Sequence, residues 1–233
     1  MRREVESNSP LDRAMWLAFS GPQRHLTVGD DRARRFAPGF SPIILFPDRK
    51  RPDFAAIEPH CSPGEHFYVE GWDGPPPAGW HLESETSMLM MVWAGGALPP
   101  PPAFAYRQLE RRDTPAMQAL VAQTNPGPFG PRTPELGDYI GVFDGDRLAA
   151  MAGERFHIPG YREVSAVCTA PDYRGRGYAH GLMGVLMARQ QRRGEIPFLH
   201  VMIENTRARA LYERMGFRVH HIISVRVLER LVV

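Results

Sequence analysis

Val167-Cys168-Thr169-Ala170-Pro171-Asp172-Tyr173-Arg174-Gly175-Arg176-Gly177-Tyr178-Ala179 reads as a strand running into a glycine-rich turn that opens a helix. Glycine lets the backbone turn tightly and brings its N–H groups close to a ligand. The positive end of the following helix dipole stands behind those groups, so the turn suits a phosphate. Arg174 and Arg176 add charge of the same sense. The pattern lacks the Gly-Lys-Ser/Thr ending of a P-loop, and it is not a G-x-G-x-x-G after the first strand of a βαβ unit. The reading is a pyrophosphate cradle; the bland counterpart is a tight turn with two solvated arginines.

Outward from this turn the elements are regular. Tyr139–Phe143, the turn Asp144-Gly145-Asp146 and Leu148–Ala152 read as a hairpin. Glu163–Thr169 is a third strand. Gly177–Arg193 carries Ala179, Leu182, Met183, Leu186 and Met187 on one helical face, with Gly194 as a stop. Pro197–Ile203 is a fourth strand, Asn205–Met215 a short helix ended by Gly216, and Phe217–Leu228 one or two final strands. The order β-β-β-α-β-α-β predicts an α+β fold on a mixed sheet. Pro99–Pro102 cannot continue a helix or a central strand, so a linker is placed at 99–103 between domains at 1–98 and 104–233. In the first domain Leu11–Phe19 has helical spacing, and Ile43–Phe46, Phe67–Val69 and Met88–Trp93 are strand-like.

A second motif follows: Glu204-Asn205-Thr206-Arg207-Ala208-Arg209-Ala210-Leu211-Tyr212-Glu213-Arg214-Met215-Gly216-Phe217. Asn205 suits a helix N-cap, and Tyr212, seven residues on, shares its face. With Arg174-x-x-Gly177-x-Ala179, this resembles the GNAT N-acetyltransferase superfamily, and Glu163–Ala179 resembles its FR47-like branch. The resemblance covers about residues 104 to 233. It implies the GNAT acyl-CoA N-acyltransferase fold, a twisted mixed sheet whose two central strands splay apart around the pantetheine arm of acetyl-CoA. It further implies that Val167, Cys168 and Thr169 offer backbone groups to the arm and its acetyl oxygen. Arg174, Gly175, Arg176, Gly177, Tyr178 and Ala179 would hold the pyrophosphate, and Asn205 and Ala208 would flank the pantetheine. Tyr212 would lie near the sulfur. Some FR47-like proteins carry a degenerate N-terminal copy of the fold, and residues 1–98 are read as such a copy, without a coenzyme site of its own.

The chemistry follows from the reaction. Acyl transfer to an amine expels a thiolate, and a phenol protonated at neutral pH can donate to it, which assigns Tyr212 as the acid. The amine must lose a proton. Glu163 is the expected base, with Glu154, Glu204 and His200 as alternatives. Strand alternation puts Glu163, Ser165 and Val167 on one side. Cys168 as an acyl carrier is disfavoured, because a strand cysteine is more often a small buried hydrophobe. His60, Cys61, His66 and His81 have no recognised ligand spacing, so no metal is expected. Trp72, Trp80 and Trp93 are read as core rather than pocket.

Composition bounds the rest. The chain has 233 residues, 43% of them hydrophobic, which suffices for a real core. Net charge is +2, and the basic pairs Arg34–Arg35, Arg111–Arg112 and Arg192–Arg193 are scattered, which disfavours a nucleic-acid face. Cys61 and Cys168 make no disulfide framework. Met1–Pro10 is charged and unlike a signal peptide, and Met88–Leu98 is too short to span a bilayer, so a cytoplasmic protein is expected, with no membrane partner. The expected function is N-acetyl transfer from acetyl-CoA to a primary amine of a small molecule, amino acid or peptide. The rivals are a catalytically silent acetyl-CoA-binding regulator and a tRNA-directed acetyltransferase. A homodimer is left open.

Overall fold

The strands among residues 9–232, which the computed structural model describes, join into one eleven-stranded mixed sheet. Met1–Asn8, the greater part of the charged N-terminal segment read above, lies outside the described residues, as does Val233. In chain order the strands are β1 (Thr27–Gly29), β2 (Arg34–Phe36), β3 (Ile43–Leu45), β4 (His66–Glu70), β5 (Trp80–Trp93), β6 (Arg107–Gln108), β7 (Tyr139–Asp144), β8 (Arg147–Ile158), β9 (Tyr161–Thr169), β10 (Ile196–Met202) and β11 (Phe217–Arg230). The helices are α1 (Ala14–Ser20), α2 (Phe54–Ile57), α3 (Thr114–Thr124), α4 (Tyr178–Arg192) and α5 (Thr206–Arg214). Across the sheet the order is β1-β2-β3-β4-β11-β5-β10-β9-β8-β7-β6.

From β7 onward the elements follow the order expected from the sequence, with β11 as one long strand. Two elements exceed or escape that reading. β5 begins at Trp80 rather than Met88 because its first half, rich in polar residues, is held along its length by β11. α3 buries only Met117 and Leu120, so it shows no apolar stripe in the sequence.

The centre of the sheet is built by exchange. β5 lies between β10 and β11, antiparallel to both, so a strand from before the prolines is inserted among the last strands of the chain. On either side of the β5–β11 pair the same arrangement recurs. β4 is parallel to β3 and joined to it through α2; β10 is parallel to β9 and joined to it through α4. The prolines separate the halves along the chain while the sheet continues across them. They pack on α4, where a Cβ at Gly184 would come within 2.8 Å of Pro99.

Successive strand residues face opposite cores. Phe198 packs with α1, whereas Leu199 and Val201 pack with α4 and α5. Thus α1 and α3 cover one face of the sheet, and α2, α4 and α5 the other. Phe19 anchors α1, with its ring 4.4 Å from that of Phe36 and 5.9 Å from that of Phe156. Phe19→Ala is expected to lower the unfolding free energy by about 3–5 kcal/mol in urea titration. The exposed Ile222→Ala is expected to change it by less than about 0.5 kcal/mol.

Candidate functional site

β9 and β10 are bonded only at their start, through Tyr161↔Ile196, Arg162↔Pro197 and Glu163↔Phe198. Beyond that pair they part. β9 stays on β8 as far as Thr169, and β10 stays on β5 as far as Met202, so two backbone edges face each other across an open wedge. Inside the wedge Ala166 has φ +50, a left-handed conformation that a residue with a Cβ rarely adopts. It coincides with a bulge in the β8–β9 register. The bulge corrects the expected alternation: Val167 packs against the same core as Val164, on the α4 side, and not beside Glu163. A bulge leaves ladder groups unpaired and re-aims the residues that follow.

A cavity of about 690 Å³ occupies the wedge. At one end it meets the glycine turn. Gly177 has φ +78, no side chain caps α4, and a Cβ at Gly175 or Gly177 would find nothing within 4 Å. The first N–H groups of α4 are therefore open to a ligand. Arg174 lines the cavity, whereas Arg176 lies over the Tyr173 ring, 4.8 Å from its centre, and does not. Val167, Cys168, Thr169, Tyr178 and Ala179 all line it.

The second motif meets the same cavity. The Asn205 side chain caps α5, accepting from the Ala208 N–H at 3.1 Å. Asn205, Ala208 and Tyr212 line the wall. Tyr212 is buried, and burial, with a smaller contribution from Cys168, pushes its phenol up to about 12. The proton is thereby held firmly. Cys168 is likewise raised to about 12 by burial, which keeps it a thiol and removes the thiolate an acyl carrier would need.

The base candidates separate sharply. Glu154 accepts from Gln190, Arg193 and the Asp138 N–H and does not line the cavity; Glu204 is exposed elsewhere. Glu163 is only 1% exposed and also stays behind the cavity wall. Arg155 donates to it through Nε at 2.9 Å and Nη2 at 2.8 Å, the Phe156 N–H donates at 3.2 Å, and His200 Nδ1 lies 2.7 Å away. Burial alone would raise this carboxyl. The Arg155 charge and the hydrogen bonds from His200 and Arg155 override it and bring it down to about 2. His200 does line the cavity. An ionised carboxylate only accepts, so Nδ1 carries a hydrogen, and in the neutral imidazole Nε2 is the acceptor. Nε2 is buried with no partner among the described residues.

The residues flagged for metal do not gather: His66 pairs with Glu83, and burial raises the Cys61 thiol to about 11. Asp12, His220 and His221 do cluster, but none lines the cavity, and Arg49 donates to the Asp12 carbonyl at 2.6 Å. Trp72 and Trp80 sit in the core under α2, and no tryptophan lines the cavity. The residues that sequence reasoning missed include Arg155, Tyr139 and the loop at 125–129 and, from the first half of the chain, Tyr68 and Glu70 of β4 and Thr86 and Met88 of β5. In the first half the only signal was the acid that follows the short apolar run Phe67–Val69.

The FR47-like protein family matches residues 139–227, from β7 into β11. A structure from Novosphingobium aromaticivorans, assigned to the GNAT family of acetyltransferases, is 32% identical over 97% of this chain and 100% of its own, with a TM-score of 0.84. A GCN5-related N-acetyltransferase from Kribbella flavida shares the fold at 15% identity, covering 94% of each chain with a TM-score of 0.56. A GCN5-related N-acetyltransferase-like protein from Streptococcus suis does so at 14% identity, covering 94% of this chain and 96% of its own, with a TM-score of 0.59. Among curated proteins none matches the chain. The fold is that of an acyltransferase. This chain belongs to the GNAT family of acetyltransferases. No helix among the described residues is long and apolar enough to cross a membrane.

The Glu163 shift has a consequence for stability. A carboxyl held at about 2 instead of its usual 4.5 stabilises the fold above pH 4.5, and the contribution is lost as pH falls toward 2. Urea midpoints at pH 5 and pH 3 should therefore fall more steeply for the wild type than for Glu163→Gln, although the variant is the less stable protein at pH 7.

Proposed function

We propose that the protein transfers the acetyl group of acetyl-CoA to the nitrogen of a primary amine. One observation carries the reading: the glycine turn, Tyr212 and the unpartnered Nε2 of His200 open onto one cavity along the wedge. The residues present suit the coenzyme. Open space over Gly175 and Gly177 and the uncapped start of α4 fit a pyrophosphate. The unbonded edges of β9 and β10 fit an amide-bearing arm that can pair with them. Bound there, acetyl-CoA supplies an acetyl group activated as a thioester.

The roles of the side chains follow. His200 takes a proton from the incoming ammonium through Nε2, and Glu163 positions the ring and stabilises its charge once protonated, so Glu163 acts through His200 and touches no substrate. Tyr212 donates its proton to the departing sulfur and regains one from the nitrogen as the C–N bond forms. Backbone N–H groups at the bulge, around Val167 and Cys168, are the donors available to a developing oxyanion. The first half of the chain forms an N-terminal lobe, a degenerate copy of the same fold. Its parallel β3–β4 pair with α2 echoes β9–β10 with α4 and supports that descent. This lobe supplies acceptor-side wall and no second coenzyme site.

Calorimetric titration with acetyl-CoA tests the cradle. Gly177→Ala and Gly177→Glu share the strain of a side chain at φ +78, but only the second adds a carboxylate facing the pyrophosphate. Glu should abolish binding and Ala should weaken it modestly; equal loss in both would remove the pyrophosphate from this turn. Thiol release with an amine acceptor tests the chemistry. Tyr212→Phe and His200→Gln should each lower kcat by about 10²–10⁴-fold while acetyl-CoA binding stays within a few-fold of wild type.

A further inference from the structure

The acceptor end of the cavity has a composition of its own. It lies on the α1–α3 face of the sheet, where β4, β11 and β5 run side by side and Glu70, Val225 and Thr86 occupy one row. Met15, Ile43 and Met88 give it apolar walls. Within this surface Glu70 is only 8% exposed, and its carboxylate accepts no hydrogen bond from any described residue. Arg49 makes a long ion pair with it, Nη1 at 3.9 Å, while Nη2 donates to the Asp12 carbonyl. Glu70 and His200 line the same cavity, and the Arg49, Arg155 and Glu163 charges all act on the carboxyl. Two polar atoms on this cavity are buried and unpartnered among the described residues, His200 Nε2 and the Tyr139 hydroxyl.

A buried carboxylate without hydrogen bonds is costly unless something completes it. Left alone the carboxyl is driven toward its protonated form by burial, and a cation with hydrogens to donate restores the carboxylate. Arg155 cannot serve, since its guanidinium is committed to Glu163 in a two-point pair. Among the described residues, that commitment also leaves no cavity arginine beside the base free to receive an acceptor carboxylate. The other arginines on the cavity, Arg174, Arg207 and Arg214, belong to the glycine turn and to α5, at the coenzyme end.

We infer that Glu70 is the acceptor-binding carboxylate, and that the acceptor is a primary amine on an apolar stem, taken up as its ammonium ion and carrying no carboxylate next to the nitrogen. This rests on the acetyl-transfer reading and narrows it, placing the specificity of the reaction in the N-terminal half of the chain. Glu70 holds the ammonium while His200 removes its proton, and the apolar floor takes the stem.

The test is binding rather than turnover, so it stands apart from the fate of the acetyl-transfer reading. n-Hexylamine and 1-hexanol, equal in length and different in charge at pH 7, are titrated calorimetrically into the protein with and without coenzyme A. Wild type should bind the amine at least roughly tenfold more tightly than the alcohol, the span of a charge-assisted hydrogen bond. Glu70→Gln should erase the difference, and Glu70→Asp should retain part of it. Leucine should bind more weakly than the amine. Equal affinity for amine and alcohol in wild type, or a preference unchanged in Glu70→Gln, would overturn the assignment. Should Glu70→Gln fail to fold, the wild-type comparison and Glu70→Asp decide it. Failure of the acetyl-transfer reading would show differently, as ammonium binding with no thiol release from acetyl-CoA.

Discussion

The structure turns on the point where β9 and β10 cease to bond. Glu163 and Phe198 form the last pair, and past them the sheet opens in its own interior. Interior backbone groups are nearly always satisfied, so an open wedge demands a partner from outside the chain. The apex of the wedge also holds a buried ion-pair cluster. Glu163, the final bonded residue of β9, is clamped by Arg155 and by the Phe156 N–H, and it reaches across to His200, two residues beyond the last pair on β10. Removing one partner of such a buried pair typically costs about 3–5 kcal/mol. The clamp therefore does two things at once: it fixes where the strands part, and it fixes which nitrogen of His200 looks into the opening.

Labour around the wedge is divided by origin in the chain. The coenzyme-facing wall comes from one continuous run, β9 through α5, in which each determinant is local: a turn, a helix start, a cap. The opposite wall is assembled from β4, β5 and β11, which meet only through pairing across the whole molecule. On the proposed reading, the chemistry of acyl activation sits on the local wall and the choice of acceptor on the assembled one.

This division explains what could be read from sequence. The glycine turn at 174–177 and the cap at Asn205 declare themselves because backbone conformation and dipole are set by neighbours a few residues apart. The strands and helices from Tyr139 onward were legible for the same reason. Glu163 stood out as an acid on the right strand, but its role depends on Arg155 and His200, brought to it by pairing and not by spacing. The bulge at Ala166 was silent, since nothing about an alanine announces φ +50. α3 was silent because it buries two residues only. The place of β5 between β10 and β11 could not be read at all: periodicity reports which residues are buried, never which strand lies next door.

That insertion also sets the order of events during synthesis. β5 is made early and needs β10 and β11, both made near the end. Until they emerge, a fourteen-residue strand stands with both edges unpaired, and such edges are templates for pairing with other chains. The long sequence separation makes closure slow as well. Neither half can therefore finish its sheet alone on the ribosome, and between the making of β5 and that of β11 the nascent chain is a partner-seeking intermediate of the kind that chaperones hold.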